Sequence, residues 1–150
     1  MISAKRIVSI FRQTGGSGEF TKSIDELTDA QVKSFPQDVG KETPLIVSMR
    51  SADEWFVLTP SHLVLKDRDV LRRVPLEHVE WIVTPEDAEF KSHGGKLGVL
   101  LRDGSAVSLH VEAGRPYVSL MNVFMYIARV TGPPSHMALT GAWRAPTKLL

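Results

Sequence analysis

Hydrophobic and polar positions alternate most cleanly between Leu97 and Val111. Leu97, Val99 and Leu101 interleave with Gly98, Leu100 and Arg102; Val107, Leu109 and Val111 interleave with Ser108, His110 and Glu112. A period of two places each set on one face of a pleated strand. Asp103-Gly104 between the runs predicts a two-residue hairpin turn, since both residues suit positive φ. At Pro116 the period becomes helical. Tyr117, Leu120, Met121, Phe124, Ile127 and Ala128 form one stripe, and Gly132-Pro133-Pro134 stops it. Val118, Val123, Met125, Tyr126 and Val130 fall outside that stripe, so the helix is apolar around more of its girth than one contact surface requires. The surplus predicts a second neighbour, either the N-terminal helices folding back or another subunit, and marks these five residues as a candidate interaction surface.

Upstream, short strand-like runs follow one another closely. Leu45 to Met49, Trp55 to Thr59, Leu63 with Leu65, Val70 to Val74, and Val79 to Val83 are separated by Ser51-Ala52-Asp53, Thr59-Pro60-Ser61, Lys66-Asp67-Arg68-Asp69 and Pro75-Leu76-Glu77-His78. With the hairpin this makes about seven strands, a mainly β chain folding as an antiparallel sandwich or partly open barrel capped by a C-terminal α-helix. Pro85 to Gly95 reads as a polar loop.

The N-terminal part has a different texture. Residues 3–13 predict a short helix with Ile7, Val8, Ile10 and Phe11 apolar and Lys5, Arg6 and Arg12 polar. It suits either a membrane surface or packing on its own domain, and its shortness and sparse basic face favour packing. Thr14 to Gly18 reads as a flexible joint; it is no phosphate loop, because Glu19-Phe20 stands where Lys-Ser/Thr is required. Ser23 to Phe35 predicts a second helix, with Ser23 and Glu26 spaced as a capping box. Pro36 to Pro44 is a polar connector. The expected organisation is a helical extension and linker over 1–44, a β domain over 45–131, and a tail over 132–150.

The order of elements resembles the pleckstrin-homology-like (PH-like) domains of bacteria. The resemblance is carried by Trp55-Phe56-Val57-Leu58-Thr59, His62-Leu63-Val64-Leu65, Val74-Pro75-Leu76-Glu77-His78-Val79, the Leu97–Val111 hairpin and the helix from Pro116 to Val130. It covers roughly Leu45 to Thr131 and rests on order and spacing. It implies two nearly orthogonal antiparallel sheets, of four and three strands, with the helix plugging one open corner. The N-terminal forty-odd residues and the tail lie outside it.

Composition narrows the chemistry. The 150 residues carry 18 basic and 17 acidic side chains, a formal charge of +1, so no basic excess points to nucleic acid. With no cysteine, disulfides and thiolate metal sites are excluded. No apolar run reaches the length of a membrane span, and the N-terminus reads poorly as a secretory signal; a cytoplasmic location is expected. His62, His78, His93, His110 and His136 show no metal-ligand spacing, and no serine sits in a nucleophile elbow. No cofactor or metal is expected.

One basic cluster remains, Lys66, Arg68, Arg72 and Arg73, which suits a phosphate or an acidic peptide, although Asp67 and Asp69 partly neutralise it. Phosphoinositide-binding members of the wider superfamily place Lys and Arg along the first hairpin; here that hairpin offers Arg50 followed by Asp53 and Glu54. These five residues are the candidate ligand contacts. The sequence is thus expected to encode a non-enzymatic protein-interaction or self-assembly module with a protein partner or a second copy. The alternative is a domain binding an anionic lipid or small ligand.

Overall fold

The computed structural model describes residues 2–33, 41–83 and 95–132. In order, the chain forms α1 (Ala4–Thr14), β1 (Thr21–Ser23), a 3-10 turn (Ile24–Glu26), α2 (Asp29–Lys33), β2 (Ile46–Ser51), β3 (Glu54–Leu58), β4 (His62–Asp67) and β5 (Val70–Pro75). A second 3-10 turn (Leu76–His78) leads to β6 (Val79–Val83), β7 (Gly95–Leu101), β8 (Ala106–Val111) and α3 (Arg115–Thr131). The strands form two antiparallel sheets ordered β1-β2-β3-β4-β5 and β6-β7-β8. The fold is mainly β, two open sheets with a helix at each end of the described chain.

All seven expected strands form; the alternation falls as read in β8, whereas in β7 Gly98 and Leu100 are buried along with Leu97, Val99 and Leu101. Leu97 pairs with Leu109 and Val99 with Val107, all buried, while Ser108 and His110 are exposed. Ile46, Phe56, Leu58, Leu63, Leu65 and Val74 of the larger sheet share one core with these residues and with Tyr117, Leu120, Phe124 and Ile127 of α3. On its other face the larger sheet buries a smaller cluster, Val47, Trp55, Val57 and Val64. The Tyr117 hydroxyl donates to the Lys96 carbonyl at 3.0 Å, and burial pushes its pKa up to about 12.

Three local expectations are corrected. The hairpin between β7 and β8 closes with the Leu101 amide donating to the Ser105 carbonyl, leaving a three-residue loop, Arg102-Asp103-Gly104, with Gly104 at φ +90°. A left-handed glycine at the third position is the usual form of that longer loop. The helix expected over Ser23–Phe35 does not form as one element. Thr21, Lys22 and Ser23 instead pair with Ser48, Val47 and Ile46, making a fifth strand in the larger sheet. Pairing with a distant strand, with the Thr21 and Ser23 side chains buried, outweighs local helix preference. Ser23 Oγ still reaches Glu26 Oε1 at 3.2 Å, but the reciprocal cap belongs to α2. There the Gln31 amide donates to Thr28 Oγ1 and the Thr28 amide to Gln31 Oε1.

The third correction concerns the glycine joint, which is pinned. The Gly16 amide donates to Ser119 Oγ at 2.6 Å, while Ser119 Oγ donates to the Phe11 carbonyl at 2.8 Å. A Cβ on Gly15 would overlap the Arg115 carbonyl oxygen, so only glycine allows α1 to end this close to α3. Glu112 just beyond β8 accepts backbone amides from Glu19 and Phe20, holding β1 beside the second sheet. Residues 34–40, most of the expected Pro85–Gly95 loop, and the tail from Pro133 lie outside the described residues.

Candidate functional site

Where the β2–β3 and β4–β5 hairpins pass β7 and β8, the two sheets leave a cleft of about 560 Å³ between them. Its position follows from the topology. Both hairpin turns are tight, and the Arg68 amide donates to the Asp53 carbonyl at 2.7 Å, tying one turn to the other. Phe56 and Leu65 give the cleft apolar walls. Arg50, Lys66 and Arg68 come from the larger sheet, and Lys96 and His110 from the smaller one.

The expected basic cluster therefore divides. Lys66 and Arg68 line the cleft, and Arg50 joins them although it is distant in sequence. Arg72 lies opposite Leu65 and Arg73 opposite Val64, so consecutive arginines of β5 point to opposite faces of the sheet, both exposed and both outside the cleft lining. Lys96, His110 and Glu54 were not among the expected site residues. Lys96 and His110 are cross-strand partners on the exposed set of the β7–β8 hairpin, and only the crossing of the sheets makes them site residues.

Electrostatically the cleft is mixed. The ladder register shifts at Arg50, between Met49 and Ser51, a bulge that re-aims the side chain. Its guanidinium lies over the Phe20 ring, 4.9 Å from the centroid, with Nε 3.7 Å from Glu54 Oε1. The same Glu54 oxygen stands 2.8 Å from His110 Nδ1. Lys66 Nζ is 3.9 Å from Asp53 Oδ1, and Asp67 and Asp69 also border the space. Arg68 holds φ +57°, in the left-handed region, at the first central position of its turn.

The candidate interaction surface has a different fate. Val123 is fully buried, and Met125 and Tyr126 pack partly buried against the same core. Val118 and Val130 are half-buried. α1 lies along α3, with Ile7 and Phe11 fully buried in the shared core and the Ser3 amide donating to the Tyr126 hydroxyl at 3.1 Å. The second neighbour expected from the apolar girth is therefore α1, and the apolar stripe of α1 faces inward.

A second pocket, of about 490 Å³, lies where Ile2, the β3–β4 turn, Leu76 and the end of α3 meet. Beside it Glu42 accepts from Ser61 Oγ at 2.6 Å and from Thr59 Oγ1 at 3.0 Å, and contacts His62 Nδ1 at 3.1 Å. The Ser61 hydroxyl, ahead of His62 and Thr59, holds the Glu42 carboxyl below its ordinary range. Ser61 Oγ is also 2.9 Å from His62 Nδ1. A nucleophile relay needs hydroxyl and carboxylate on opposite ring nitrogens, whereas here both meet Nδ1. This is a turn clamp. Among the described residues no group of three or more His, Asp or Glu is placed to hold a metal, and no helix is long and apolar enough to cross a membrane. Comparison with protein-family models, curated proteins and solved structures finds no match, so the cleft's own geometry is the basis for assigning it a role.

Proposed function

We propose that the chain is a non-enzymatic binding module whose cleft takes an anionic group, carboxylate or phosphate. The observation that carries this reading is the convergence of Arg50, Lys66, Arg68, Lys96 and His110, from two different sheets, on one cleft walled by Phe56 and Leu65. Its size falls within the range of about 300–1,000 Å³ usual for small-molecule sites. Calorimetric titration with inorganic pyrophosphate tests it. Binding should weaken as salt rises, since the cations are partly exposed. Lys66→Ala and Lys96→Ala, on opposite sheets, should each weaken it. Affinity unchanged in both variants would refute the reading.

One observation favours a protein-contact role beside this. β5 is an edge of the larger sheet among the described residues, and Val70 and Leu71 are 56% and 45% exposed. Exposed aliphatics on an edge strand suit pairing with an extended segment of a partner. Arginine at 72 and 73 disfavours a second copy of β5, because symmetric pairing sets like charges together. An acidic peptide of alternating Glu and Val should therefore bind, and Leu71→Lys should weaken it. Binding indifferent to Leu71→Lys would exclude β5 as the contact.

A further inference from the structure

The cleft already holds an anion of its own. Glu54 Oε1 lies 2.8 Å from His110 Nδ1 and 3.7 Å from Arg50 Nε, so one carboxylate meets basic side chains from both sheets. The rest of the cationic ring is less engaged. Lys66 meets Asp53 at 3.9 Å, and among the described residues Arg68 and Lys96 make no ion pair. Glu54 is also directly opposite Asp67 across the β3–β4 ladder, a like-charge pair that a sheet disfavours. The β3–β4 ladder therefore gives no reason for a carboxylate at this position; Arg50 of the same hairpin and His110 across the cleft do.

We propose that Glu54 is an internal stand-in for the ligand, an inference that rests on the anion-binding reading of the cleft. Its carboxylate occupies the anion position between Arg50 and His110, and an incoming ligand displaces it. The exchange fixes the ligand class. A ligand with one anionic group replaces one carboxylate by another and leaves the contacts at Arg50 and His110 as they were. A ligand with two or more anionic groups replaces Glu54 with one and brings another to Lys66, Arg68 and Lys96, where the cations are underused. The cleft thus selects compounds with at least two anionic groups and screens out monoanions.

Calorimetric titrations of wild type and Glu54→Gln with inorganic pyrophosphate and with inorganic phosphate separate the outcomes. Gln keeps the size of the side chain and removes its charge, and circular dichroism with thermal melting checks folding; Glu54→Ser provides a second variant. Pyrophosphate should bind Glu54→Gln about fivefold more tightly than wild type, the scale of one partly exposed ion pair released from competition. Phosphate should gain by a similar factor, because both ligands displace the same carboxylate, so the preference for pyrophosphate should persist in the variant. Equal or weaker binding by both Glu54 variants would overturn the stand-in while leaving the anion cleft in place. Absence of binding in wild type and variants alike would refute the cleft reading and the inference with it.

Discussion

Truncation of Phe11 tests whether α1 is part of the domain or an appendage. Phe11 is fully buried in the same core as Leu120 and Phe124, and its carbonyl accepts the Ser119 hydroxyl at 2.8 Å. Phe→Ala at such a site removes the transfer energy of the ring and leaves a cavity, costing about 3–5 kcal/mol. Against a total of about 5–15 kcal/mol this is a large share. With a urea m-value of about 2 kcal/mol/M, the unfolding midpoint should fall by about 2 M at unchanged slope. Urea unfolding followed by tryptophan fluorescence and far-UV circular dichroism measures it, and the two transitions should coincide. Gln13→Ala, on the exposed side of the same helix, should leave the midpoint almost unmoved. A Phe11→Ala shift below about 0.5 M, roughly 1 kcal/mol on the same scale, would refute the integral role of α1. Loss of helicity at a lower urea concentration than the fluorescence change would do the same.

Three further predictions probe other contacts. Ser119→Ala leaves the Gly16 amide and the Phe11 carbonyl without their buried partner and should destabilise by about 1–3 kcal/mol, read in the same unfolding assay. Arg68→Gly relieves a left-handed non-glycine residue and should stabilise by about 1 kcal/mol while weakening pyrophosphate binding, an opposition of signs that calorimetry and melting together detect. The depressed Glu42 pKa means that its contribution to stability is complete above the ordinary glutamate value of about 4.3 and is lost as pH falls through the lower folded value. Acid should therefore loosen the Thr59–His62 turn, seen as faster amide exchange there, and Glu42→Gln should remove that part of the pH dependence.

The strands and α3 were legible because each carries its own periodicity, and burial on one face enforces the register that the periodicity implies. β1 was not. Three residues are too few to show alternation, and Ser23 with Glu26 imitates a cap while the reciprocal cap sits at Thr28 and Gln31. In the cleft, Lys66 and Arg68 could be read because they flank one turn, and Arg50 through the likeness of its hairpin to others. Arg72 and Arg73 show the limit of sequence neighbourhood, since adjacent strand residues face apart. Lys96, His110 and Glu54 became site residues only through the approach of one sheet to the other, which no local pattern records.

The union of α1 with α3 has a consequence during synthesis. Phe11 and Ser119 are 108 positions apart, so the ribosome completes the first helix long before its binding surface exists. At roughly 5–20 residues per second, the interval is on the order of 5–20 s. Throughout it Ile7 and Phe11 have no native cover, so the apolar stripe of α1 waits in water until the last helix is made.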